Sequence, residues 1–138
     1  MNLTTDIYQR IVAAKVYMDD NYHEPIDLQE ISQQAFLSRF HFHRLFTRIY
    51  RKTPHQYLTL LRLQCAKALL EKEGISVTEV CNSVGFESLG SFSTLFRKQH
   101  GYAPQYYRNI AYLKKKLAKE QPKSFIPHCF IDSYKLDQ

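Results

Sequence analysis

The chain has 138 residues, 44% of them hydrophobic and 14% aromatic, with only four glycines and five prolines, which supports a packed core and excludes low-complexity and fibrous classes. The net charge of +6 points to an anionic partner. No basic stretch leads an apolar run at the start, no segment approaches about 18 apolar residues, and Cys65, Cys81 and Cys129 follow no disulfide spacing, so a cytoplasmic setting without signal peptide or membrane span is expected.

Apolar residues at Ile7, Ile11, Val12, Ala14, Val16, Tyr17 and Met18 predict a first helix over 6–21, capped by Asp6. Pro25 lies just beyond its end. Asp27 caps a short helix to about Ala35, with Glu30 placed for a capping box. Ser38 opens the next helix, roughly Arg39 to Tyr50, with Phe42, Leu45, Phe46 and Ile49 on one stripe. Thr53-Pro54 starts a long helix to about Glu73, with Tyr57, Leu58, Leu61, Cys65, Ala68 and Leu69 expected on the buried side and Gly74 ending it. Ser76 and Glu79 then repeat the capping pattern ahead of a short helix to about Val84. Gly85-Phe86 makes a turn, Ser88 caps a helix to about Gln99 with Phe92, Leu95 and Phe96 inward, and Pro104 opens a last helix. The class is all-α, with seven helices.

The halves of the chain repeat at an offset of 49 to 50 residues. Glu30 pairs with Glu79 and Ile31 with Val80. After a one-residue shift, Ser38 pairs with Ser88, Phe42 with Phe92, Leu45 with Leu95, Phe46 with Phe96, Pro54 with Pro104 and Tyr57 with Tyr107. Each copy is a short capped helix, a tight turn and a second capped helix, which is a helix-turn-helix plan. The expected organisation is a first helix-turn-helix subdomain over 1–60, a linking helix over 53–74, a second subdomain over 75–110 and a tail over 111–138. Charge is uneven across this plan: −4 over residues 1–36, +7 over 37–72, −1 over 73–100 and +4 over 101–138.

Residues 7–110 resemble the DNA-binding domain of the AraC (arabinose-regulator) family. The resemblance rests on Gly85-Phe86, Phe92, Phe96, Arg97-Lys98, Gly101, Pro104 and Tyr107-Arg108 in the second unit. In the first it rests on Ser38, His41, Arg44-Leu45-Phe46 and Pro54-His55-Gln56-Tyr57-Leu58. It covers about three-quarters of the chain and implies two units in successive major-groove segments of double-stranded DNA, bridged by the long helix. Two departures stand out. Arg51 occupies a place where the family often has glycine, and Phe36 stands where the second unit has Gly85.

The second helix of such a unit enters the major groove. With Phe42, Leu45 and Phe46 inward, its other face in the first unit carries Arg39, Phe40, His43, Arg44 and Thr47. Among these, the resemblance marks Phe40, His43 and Arg44 as base-contacting positions. Arg44 has the geometry to donate twice to guanine, and Phe40 to pack on a thymine methyl. The second unit offers Leu89, Gly90, Ser91 and Thr94, the last where many relatives carry Arg, so the first unit is expected to do most of the reading. Phosphate contacts are assigned to Ser38, Arg48, Arg51, Lys52, Arg62, Ser88, Arg97, Lys98 and Arg108.

No metal or cofactor is expected: His41 and His43 point about 200° apart on a helix. Cys65 and Cys81 sit at core positions, and no catalytic constellation is present. The tail joins Lys114-Lys115-Lys116 to an apolar run, Phe125 to Ile131, with fold-back, self-association and disorder all open. The reading is a nucleoid-associated transcription regulator without its own ligand-sensing domain, binding DNA as a monomer, with a tail-mediated dimer as the alternative. The resemblance implies activation through RNA polymerase, with repression open. A protein-interaction module that modulates a full-length regulator or RNA polymerase is the alternative from another class.

Overall fold

In the computed structural model, which describes residues 4–72 and 74–127, short polar side chains begin six of the seven helices. Thr4 caps α1 (Thr5–Asn21), Asp27 caps α2 (Leu28–Gln34), Ser38 caps α3 (Arg39–Tyr50) and Thr53 caps α4 (Pro54–Leu70). Ser76 caps α5 (Val77–Ser83) and Ser88 caps α6 (Leu89–His100). Each side-chain oxygen accepts from a backbone N–H that the first turn leaves unpaired. The seventh, α7 (Pro104–Glu120), has no such cap because Ala103, the residue before it, carries no side-chain acceptor; Pro104 favours the start instead, its φ already suiting the first turn. A 3-10 turn, Pro122–Phe125, follows. No strand occurs among the described residues.

Three local expectations are corrected. Asp6 does not cap α1; Thr4 does, and Asp6 instead pairs with Arg10 at 3.1 Å one turn on. The reciprocal capping box forms at Thr53 and Gln56, whose paired bonds are 2.9 and 3.1 Å. Ala68 is exposed, and the buried residues of the linking helix are Pro54, Leu58, Leu63, Ala66 and Leu70. The last helix runs beyond residue 110, so Lys114-Lys115-Lys116 are helical. Most of the apolar run beyond Pro127, Cys129 included, lies outside the described residues.

The burial pattern of α4 follows from two separate cores. One joins Ile11, Ala14 and Met18 of α1 to Ile31, Ala35, Phe42, Leu45, Phe46 and Leu58. The other joins Leu63, Ala66 and Leu70 of α4 to Val80, Cys81, Val84, Phe92 and Phe96. Each of the four buried phenylalanines is fully removed from water, worth roughly 1.5–3 kcal/mol apiece.

The second half of α4 therefore does for the second unit what α1 does for the first. At an offset of 52, Ile11, Ala14, Met18 and Asp19 correspond to Leu63, Ala66, Leu70 and Glu71. The Tyr57 hydroxyl donates to Asp19 at 2.5 Å, and the Tyr107 hydroxyl donates to Glu71. Lys15 stands 6.0 Å from the Tyr57 ring centre and Lys67 stands 5.7 Å from that of Tyr107. In both tyrosines, burial and then the carboxylate partner push the phenol pKa up to about 12.

Candidate nucleic-acid interface

Both units turn in the same way. Leu37 N–H bonds the Ser32 carbonyl and Phe86 N–H bonds the Cys81 carbonyl, each spanning five residues. That bond requires a left-handed residue just before it. Gly85 supplies it at φ 98°, whereas Phe36 adopts it at φ 55° with a side chain 83% exposed. Arg51, closing α3, is also left-handed at φ 60°, where Gly101 closes α6 at φ 83°. The first unit thus holds two non-glycine residues in a conformation costing about 1–2 kcal/mol each.

The turn aims α3 with its apolar stripe inward and a contrasting row outward. Arg39, Phe40, His43 and Arg44 are all exposed, Phe40 at 76%. Arg39 lies over the Phe40 ring at 5.7 Å. Thr47 is only half exposed, and its hydroxyl donates to the His43 carbonyl at 2.7 Å. Hence the predicted row is brought together, with Thr47 at its recessed end. Phe36, noted in the sequence only as a departure, adds a second exposed aromatic in the turn entering α3. His43 also lines a small recess with Pro54 and His55, so the recognition face abuts the start of α4.

In the second unit Leu89, Gly90, Ser91 and Thr94 are exposed on α6. They form a smooth, short face without a long donor. Arg97 and Lys98 follow, exposed, in the last turn.

Of the phosphate candidates, Ser38 and Ser88 are exposed caps whose oxygens already accept from His41 and Ser91 N–H. Arg48, Arg51, Lys52, Arg97 and Lys98 are exposed, and Arg108 is half-buried. Arg62, expected on phosphate, has partners inside the protein: its Nε donates to the Tyr22 carbonyl at 2.6 Å and its Nη2 to the Glu24 carbonyl at 2.9 Å. It stitches the linking helix to the loop between α1 and α2, where burial lowers its pKa. Gly85 meets the same seam. A methyl group added there would sit 2.9 Å from the Tyr22 carbonyl oxygen, 3.1 Å from Arg62 Nε and 3.1 Å from the His23 carbonyl oxygen. The turn of the second unit, the loop of the first and Arg62 thereby lock the two units together.

Among the described residues no helix is long and apolar enough to cross a membrane, and no group of His, Cys, Asp or Glu could hold a metal. Cys81 is buried and Cys65 half-buried, both packed in or against the second core.

Two capped helices presented in parallel roles on one bridging helix define a duplicated helix-turn-helix domain. A family profile described as a helix-turn-helix domain matches residues 31–110, more than half of the chain. Among solved structures, an AraC-type DNA-binding regulator from Chromobacterium violaceum superposes with a TM-score of 0.70 at 27% identity, covering 75% of this chain and 93% of that one. The DNA-binding domain of AdpA, solved in complex with a target DNA, gives 0.69 at 28% identity, covering 82% and 96%. Among curated proteins, the regulator GbdR of Pseudomonas aeruginosa is 37% identical over 97 residues, 70% of this chain and 26% of that protein. The probable regulator LumQ of Photobacterium leiognathi is 35% identical over 92 residues, 67% of this chain and 37% of that protein. This chain belongs to the AraC family of helix-turn-helix domains. It spans roughly a quarter to two fifths of those curated regulators.

Proposed function

We infer that this chain is a sequence-specific, double-stranded DNA-binding transcription regulator whose first unit carries most of the base reading. The observation that carries it is the outward row Arg39, Phe40, His43 and Arg44 on a rigidly packed helix, in a fold shared with a domain solved on its target DNA. Arg44 reads guanine, His43 and Phe40 read neighbouring bases, and Thr47 sits at the edge of the row. Leu89, Gly90, Ser91 and Thr94 follow shape and methyl groups in the adjoining groove segment. Ser38, Arg48, Arg51, Lys52, Ser88, Arg97, Lys98 and Arg108 fix register on phosphate. With both units in one chain, a monomer spans about two helical turns. RhaS of Escherichia fergusonii, a named transcriptional activator, is 35% identical over 92 residues, which supports activation; contact with RNA polymerase is the route we propose for it.

Selection from a random duplex pool, followed by salt titration of the enriched sequence, tests this. A defined motif, affinity falling steeply with salt, and a loss of about 1–3 kcal/mol in Arg44→Ala are expected. No enrichment, with weak binding indifferent to salt, overturns the reading and favours a protein-interaction module.

A further inference from the structure

A cavity of about 530 Å³ lies between the units, with Leu60 and Leu63 of α4 and Leu95 of α6 on a mostly apolar floor. Lys52, before the cap of α4, and Lys98, in the last turn of α6, line the same crevice. One lysine comes from each unit. Both are exposed, neither pairs with an acid among the described residues, and no acidic residue lines the crevice. The volume falls within the range of small-molecule sites, about 300–1,000 Å³.

We propose that this crevice binds a small organic anion with a flat or aliphatic apolar body, and that the bound anion opposes DNA binding. Chemistry selects the ligand class. Two ammonium groups across an apolar floor match a carboxylate or sulfonate joined to hydrocarbon: the anionic head bridges Lys52 and Lys98, and the body covers Leu60, Leu63 and Leu95. A DNA phosphate satisfies the lysines but leaves the leucines wet. The antagonism rests on the DNA-binding reading, in which both lysines hold phosphate; an anion that occupies them removes two contacts and sits between the units where the duplex must pass. Regulation then requires only the two units themselves.

The probe is 2-naphthoate, with the uncharged 2-naphthamide as its shape-matched control. Titration calorimetry on the free protein, without DNA, is expected to show saturable one-to-one binding of naphthoate. Naphthamide, or the double variant Lys52→Gln/Lys98→Gln, binds at least about tenfold more weakly, the scale of a lost charge-assisted contact. Leu60→Ser weakens naphthoate while leaving the lysines in place. Equal binding of naphthamide, or undiminished binding by the double variant, overturns the site. In the second arm, naphthoate at ten times its own Kd raises the apparent Kd for duplex DNA about tenfold at constant ionic strength. Unchanged DNA affinity at saturation overturns the antagonism. Because the first arm contains no DNA, it decides on the crevice even if the protein proves not to bind a duplex.

Discussion

The two units share one plan and differ where the chain must turn. Entering its second helix, the first unit holds Phe36 in left-handed backbone and the second holds Gly85; leaving it, Arg51 stands against Gly101. The first unit therefore keeps large side chains in strained positions on an exposed edge, while the second keeps none. The difference reflects what each turn meets. Phe36 faces solvent, so a side chain there costs only backbone strain and adds contact surface. Gly85 faces the carbonyl oxygens of Tyr22 and His23, so any side chain pushes the units apart. The first turn is built for contact outward and the second for closure inward.

Exchanging those demands gives the largest effect. Gly85→Ala combines left-handed strain with backbone overlap and is expected to destabilise by about 2–4 kcal/mol, read by denaturant unfolding. Phe36→Ala, at the mirrored position, keeps its β-carbon and is expected to unfold nearly as the parent does. Equal losses at both sites would mean that the seam tolerates movement. Arg62→Met tests the seam from its other side. Two charge-assisted bonds to carbonyls disappear, at a cost of about 2 kcal/mol, while the salt dependence of DNA binding stays unchanged. A salt slope reduced by about one would restore Arg62 to the phosphate contacts. A smaller effect follows from giving the second unit what the first has. Thr94→Arg places a long donor on the exposed face of α6 and is expected to tighten binding by about 1 kcal/mol at sites with guanine in the second half, seen by repeating the duplex selection. An unchanged motif would place residue 94 outside the groove.

Caps and stripes were legible because they are local. Ser38, Ser76 and Ser88 announce helices within three residues of themselves, and Phe42, Leu45 and Phe46 show one apolar face. The linking helix was not, since it serves two cores in succession. Leu58 faces one and Leu63, Ala66 and Leu70 the other, so no single helical period describes it, and Ala68 was assigned inward. The same helix hid part of the repeat: α1 and α4 correspond at 52 residues, the recognition helices at 50, and a search at one spacing misses the other. The internal partners of Arg62 were hidden for a different reason. They lie 38 and 40 residues away, and they are carbonyls of a loop, which carry no signature in the sequence. In the candidate interface, the row on α3 was visible from spacing alone, but the exposure of Phe36 required the fold.

One matched pair separates the units by pH. Tyr50 and His100 end the two recognition helices, each against the second buried phenylalanine, at 4.6 Å from Phe46 and 4.5 Å from Phe96. His100 Nε2 also lies 3.3 Å from the Leu63 carbonyl oxygen. Burial lowers the His100 pKa from 6.5, Lys67 adds to the effect, and the Leu63 carbonyl opposes it. The unfolded chain therefore binds the proton more readily, so stability falls as pH drops through 6.5 and the loss is complete below the folded value. His100→Tyr installs the solution that the first unit uses and removes this loss. Between about pH 7.5 and about pH 5.5 the parent's melting temperature should fall further than the variant's, the other titrating groups being common to both. Equal falls would show that the charged ring keeps its bond to Leu63 at no cost, and that the second core is as indifferent to acid as the first.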